Sequence, residues 1–141
     1  MLITPIQTRW TDLDSFRHVN NVSYVNYLEI GRVDYCAKKF GVKEVMEVPF
    51  ILARIEVDLL KSIELGDPVE VLTCVARIGN KSWEFESRVR NPNSKLVYAK
   101  ARTVQVSFDY HNNVSIQIPE RIRTILEQDL LLFQKEKDSA S

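Results

Sequence analysis

One stretch of this chain leaves few folds open. From Val22 to Phe40 the apolar residues Val22, Val25, Leu28, Val33 and Cys36 recur at helical spacing, with Tyr24, Tyr27, Ile30, Tyr35 and Phe40 between them. Little of such a cylinder is polar, so other structure has to wrap it. The helix is expected to start near Asn20, because asparagine is a preferred N-cap, and to end near Phe40 and Gly41, where glycine is the usual terminator. Everything from Phe50 to Phe108 then changes period to two. Phe50–Leu60, Val69–Ile78, Lys81–Arg90 and Leu96–Phe108 read as strands, separated by the turn signals LGDP, GN and NPNS. Consecutive strands joined by tight turns imply an antiparallel sheet, and one long early helix inside it implies an α+β fold with the sheet curled round that helix.

The flanks complete the picture. Leu2–Trp10 reads as a first strand, on an edge because of Pro5. In the last long strand Val97, Ala99, Ala101 and Thr103 share one face, small enough for the helix to approach there. Asp109–Ile118 is a turn and extended connector. Pro119 opens a second helix with the stripe Ile122, Ile125, Leu126, Leu130 and Phe133. At 141 residues this is one domain over residues 1–133, with residues 134–141 read as a disordered tail.

Between the first strand and the helix lies a polar segment, WTDLDSFRHVNN, aimed by rigid structure on both sides. It carries Asp12, Asp14, His18, Asn20 and Asn21. A helix start offers free N–H donors and a partial positive charge, which suit a developing oxyanion and favour an ionised Asp14 nearby. A carboxylate facing such donors is minimum equipment for acyl transfer. The same residues also read as turn and pre-cap acids, and His18 as a structural histidine. A metal site from Asp12, Asp14 and His18 lacks a further ligand cluster, since only His111 remains as a second histidine.

The run WTDLDSFRHVNNVSYVNYLEIGR resembles the active-site segment of hotdog-fold thioesterases, of both the 4-hydroxybenzoyl-CoA type and the plant acyl-acyl-carrier-protein type. Their motif reads nearly WxDLDxNxHVNNxxY, and the order of elements is similar from about Ile3 to about Pro119. The resemblance implies Asp14 as catalytic aspartate, acting as general base or nucleophile. It implies His18 as the plant-type histidine and the backbone N–H near Asn21 as the group that polarises the thioester carbonyl. Phe16 stands where the plant-type enzymes have asparagine, which favours the simpler arrangement of one aspartate plus a helix end. It further implies an acyl-CoA or acyl-carrier-protein substrate, a homodimer or homotetramer with sheets joined edge to edge, and no cofactor or metal beyond the coenzyme A of the substrate. A hotdog dehydratase and a non-catalytic acyl-thioester binding module are the alternatives.

Charge narrows the partners. Lys plus Arg equals Asp plus Glu at 19 each, so no global field recruits nucleic acid or an acidic membrane. Phosphates of coenzyme A would have to be met locally, by residues such as Arg54, Lys61, Lys81, Arg88, Arg90, Lys100 or Arg102. Cys36 and Cys74 sit among apolar neighbours without metal-type spacing, which reads as free thiols in a reducing compartment. With no leader-like start and no long apolar span, a cytoplasmic location is expected.

Overall fold

A computed structural model describes residues 1–140 of the chain. In order, it forms β1 (Leu2–Ile6), a short 3-10 turn (Trp10–Asp12), α1 (Asn21–Lys39), a second 3-10 turn (Val45–Glu47), β2 (Phe50–Leu59), β3 (Val69–Ile78), β4 (Ser82–Arg90), β5 (Val97–Asp109), β6 (Val114–Ser115) and α2 (Glu120–Ala140). The strands lie in the order β1-β3-β4-β5-β2, with β6 paired to the end of β5, and each pairing is antiparallel. This is the hotdog arrangement, a curled sheet around one long helix.

Local chemistry sets the ends of α1. Asn20 has extended backbone and its side chain accepts the Val22 N–H at 2.9 Å. At the other end Phe40 caps the helix, and Gly41 turns the chain away at φ +72°, a left-handed conformation that glycine adopts freely. The buried stripe of the helix runs through Tyr24, Tyr27, Leu28, Tyr35 and Cys36.

Two expectations are corrected by the structure and a third is refined by it. The first strand stops at Ile6 rather than reaching Trp10, because Ile6 pairs with Val69, the first residue of β3, and the ladder has no partner beyond it. The small side chains on β5 do not mark the tightest approach of α1. Ala99 and Ala101 share a core cluster with Tyr24, Tyr27 and Leu28, but α1 lies over β1, β3 and β4. The tightest spot is Gly31, where a Cβ would stand 2.8 Å from Val71 Cγ1 and 3.1 Å from Thr73 Oγ1 on β3. Finally, the helix continues through residues 134–140, the segment read as a disordered tail, and Ser139 Oγ donates to the Lys135 carbonyl at 2.7 Å. Gln134, Lys135, Glu136, Lys137 and Ala140 are good helix formers, which favours helix in the last turns without packing. Ser141 lies outside the described residues.

Two further details bear on the surface. On β4, Trp83, Phe85, Ser87 and Val89 are buried as the alternation requires, yet Glu86 on the opposite face is buried as well. It is covered by Lys100 at 3.1 Å, Arg102 at 3.8 Å and Arg88 at 3.9 Å. β2 is a free edge. A bulge between Leu52 and Arg54 resets its alternation, so Phe50 and Leu52 share a face with Ile55, Val57 and Leu59. Leu52, Ile55 and Leu59 remain exposed.

Candidate active site

The polar segment folds into a loop closed at both ends. Leu13 bridges Val19, His18 bridges Glu64, and the Val19 N–H donates to the Ile63 carbonyl at 2.7 Å. Inside the loop the Asp14 N–H donates to the His18 carbonyl at 2.8 Å, and the Arg17 N–H to the Asp14 carbonyl at 3.1 Å. Arg17 takes a left-handed φ of 64° to complete the turn. Asp14 itself is exposed. Its Oδ1 accepts the N–H groups of Phe16 at 2.9 Å and His18 at 3.3 Å, an Asx-type turn that fixes the carboxylate plane. Its Oδ2 has no partner among the described residues.

Asp12 does the opposite. It is buried, with Oδ2 accepting the Arg9 N–H at 2.9 Å and the Tyr27 hydroxyl at 2.7 Å, and Oδ1 lying 3.0 Å from the Arg9 guanidinium. Burial raises its pKa, but the hydrogen bonds from Arg9 and Tyr27 and the Arg9 charge outweigh that, and the net shift is downward. The Asp12 carbonyl accepts the Asn20 N–H at 2.7 Å and faces the Ser23 hydroxyl at 3.4 Å. Asp12 therefore ties the loop to the helix start.

At that start the donors can be counted one by one. The Asn20 N–H goes to Asp12, the Val22 N–H to the Asn20 side chain and the Ser23 N–H to the Asn20 carbonyl. The Asn21 N–H is left without an acceptor among the described residues. It is the group that the family resemblance implies for the oxyanion.

Asp14, His18 and Asn21 line one cleft of about 210 Å³ together with Tyr24, Leu59, Lys61 and Ser62. The Tyr24 hydroxyl pins its floor, donating to the Lys61 carbonyl at 2.9 Å and accepting the Ile63 N–H at 3.1 Å. Burial raises the Tyr24 pKa, so the phenol stays a neutral donor. The His18 imidazole points toward Glu64, with Nε2 3.7 Å from Oε1, and touches Asp14 only through its backbone. Phe16 belongs to the neighbouring cleft on the other side of His18, with Trp10 and Leu65. The side chain at this position is thus kept away from the Asp14 cleft. Among the described residues no group of three or more His, Cys, Asp or Glu side chains is placed to hold a metal ion.

Of the basic residues considered for phosphate binding, Arg88, Lys100 and Arg102 are engaged with Glu86, Arg90 with Glu70 and Arg54 with Glu56. Lys61 lines the Asp14 cleft itself. Its place, with that of Leu59 and Ser62, was invisible in sequence, because long-range contacts bring this segment beside the loop: β2 pairs with β5, the Val19 N–H bonds the Ile63 carbonyl, and the Tyr24 hydroxyl bonds the Lys61 carbonyl.

Comparison with known proteins identifies the family. The family model described as the thioesterase-like superfamily matches residues 8–126. The long-chain acyl-CoA thioesterase FadM of Escherichia coli strain K12 is 24% identical over 127 residues, 89% of this chain and 96% of that protein. Among solved structures, a predicted thioesterase from Bacillus stearothermophilus superposes with a TM-score of 0.83 at 27% identity, over 91% of this chain and 95% of that one. A thioesterase from Thermus thermophilus, solved with coenzyme A and Zn, superposes with a TM-score of 0.80 at 29% identity, over 91% and 92%. No helix among the described residues is long and apolar enough to cross a membrane.

Proposed function

The chain belongs to the thioesterase-like superfamily and is a thioester hydrolase, and we propose that it cleaves acyl-CoA thioesters to a free acid and coenzyme A. One observation carries the assignment of roles: Asp14, held by two backbone N–H groups through one oxygen only, shares a cleft with the unpaired Asn21 N–H. In this reading Asp14 Oδ2 takes a proton from the attacking water while the thioester oxygen, gaining charge, is held by the Asn21 N–H. The tetrahedral intermediate then expels the thiolate, which recovers the proton. His18 stabilises the loop that presents Asp14, and Lys61 offers a charge to the coenzyme arm. The scheme calls on no resident cofactor.

Coenzyme A, rather than a carrier protein, is favoured by the relative solved with it and by the absence of a strong global charge for docking an acidic carrier. The working unit we assign is a homodimer joined through β2, whose free edge and exposed Leu52, Ile55 and Leu59 suit a second copy. With free, buried cysteines, a reducing cytoplasmic location fits the chain.

Thiol release from a panel of acyl-CoA thioesters tests the reading, using wild type beside Asp14→Asn. Turnover by wild type and its loss in the folded variant is the expected result. An Asp14→Asn protein that hydrolyses as fast as wild type would refute the assignment.

A further inference from the structure

A second cavity, of about 620 Å³, lies toward the far end of α1, between that helix, the 42–48 connector and the start of β2. Its walls include Val33, Cys36, Val42, Val48, Phe50 and Leu52. Set among them is Arg32, only 7% exposed. Its Nη1 is buried without a hydrogen-bond partner, and no carboxylate among the described residues lies within ion-pair distance of its guanidinium. Glu29, one turn earlier, lines the same cavity and acts on Arg32 only at longer range. Burial pulls the Arg32 pKa down from its ordinary value, yet arginine titrates so far above neutrality that the charge persists.

An unpaired buried cation is costly, and native chains satisfy such groups in their working state. The neighbourhood shows the same deficit. Phe50 faces Ser107 in the β2–β5 register and stacks edge-on against Trp83 at 5.4 Å. Ser107 Oγ and Trp83 Nε1 are both buried without partners. These two atoms adjoin Phe50 rather than line the cavity, whose own charged residues are Glu29, Arg32, Lys43 and Glu44 among mostly apolar walls.

The two cavities have no lining residue in common, but the same helix and the same strand contribute to both. Asn21 and Leu59 line the Asp14 cleft, while Arg32 and Leu52 line the second cavity, on the same helix and the same strand. From Asn21 to Arg32 the helix rises about 16 Å. An extended chain advances roughly 1.2 Å per bond, as a polypeptide backbone does, so a chain of about a dozen carbons covers that distance.

We propose that the second cavity is the distal end of the acyl site and that Arg32 receives a carboxylate there, making ω-carboxyacyl thioesters of about a dozen carbons the preferred substrates. The inference rests on the proposed acyl-CoA hydrolysis. A planar guanidinium matches a carboxylate through two parallel hydrogen bonds, and the apolar walls take the methylenes. A plain alkyl end would leave the guanidinium unpaired.

The test compares dodecanoyl-CoA with its ω-carboxy analogue. Wild type is expected to show a kcat/KM at least tenfold higher for the carboxy substrate, mostly through KM, and Arg32→Met to reverse that order. Binding of the same two thioesters to Asp14→Asn, measured by calorimetry, is expected to differ in the same sense, whether or not the wild type turns them over. Binding discrimination without thiol release would uphold the Arg32 site and overturn the hydrolase reading. Hydrolysis of both thioesters at equal efficiency by wild type would overturn the Arg32 site and leave the hydrolase reading intact, and it needs no variant to fold.

Discussion

Asp14 and Asp129 stand at opposite ends of the long helix and put the same functional group to opposite uses. Asp129, on α2, is buried. It accepts the Tyr35 hydroxyl and sits 3.1 Å from the Met1 α-ammonium and 3.6 Å from Lys39 Nζ. Burial, and then Asp129 itself, push the Tyr35 pKa upward, so the phenol remains the donor. Every oxygen of Asp129 is spoken for, and it fastens α2 to the end of α1. Asp14 is exposed, oriented by two backbone donors and half unspent. A carboxylate saturated with partners has no lone pair left for a substrate; one that is aimed but incompletely paired does.

Mutations can break this contrast. The largest effect is expected on rate: Asp14→Asn should lose about 10²- to 10⁴-fold in kcat, the usual span for removing a general base, with the thermal midpoint unchanged. Asp129→Ala should do the reverse, costing about 3 to 5 kcal/mol in denaturant unfolding because buried partners are stranded, while kcat per folded molecule holds. A matching loss of kcat in Asp129→Ala would erase the distinction. Between the two sites, Gly31→Ala should cost about 1 to 3 kcal/mol through the collision with Val71, and Val71→Ala in the same chain should recover much of it.

The smallest expected effect sharpens the comparison through pH. Asp12 is the saturated carboxylate next door to Asp14, with its folded pKa held below the ordinary value. A depressed folded pKa contributes stability that is fully present above the unfolded pKa, about 3.9, and is lost as pH falls through the lower folded value. Acid titration of stability below that point should therefore flatten in Asp12→Asn. An unchanged acid limb would assign the loss to other carboxylates.

What could be read from sequence follows how local each cause is. Asn20 and Gly41 mark the ends of α1 by their own chemistry, and the strands from Phe50 to Asp109 announce themselves by alternation. Asp14, His18 and Asn21 meet in one cleft because a short loop carries the first two and runs straight into the helix that starts at Asn21. The length of β1, by contrast, is decided by where β3 begins, and the closest helix contact by one glycine whose neighbour only tertiary packing supplies. Arg32 shows the hardest case. It falls on the four-residue row of Tyr24, Leu28 and Cys36, a signal available in the sequence, yet arginine in such a row is ordinarily taken for a surface residue.

The homodimer we propose through the open edge of β2 would make activity depend on protein concentration. Leu59 lies both on that edge strand and in the Asp14 cleft. If two copies close on each other there, dilution uncovers leucines and loosens a wall of the site in one event. Specific activity should then fall as the protein is thinned out, and a rise in substrate should partly restore it.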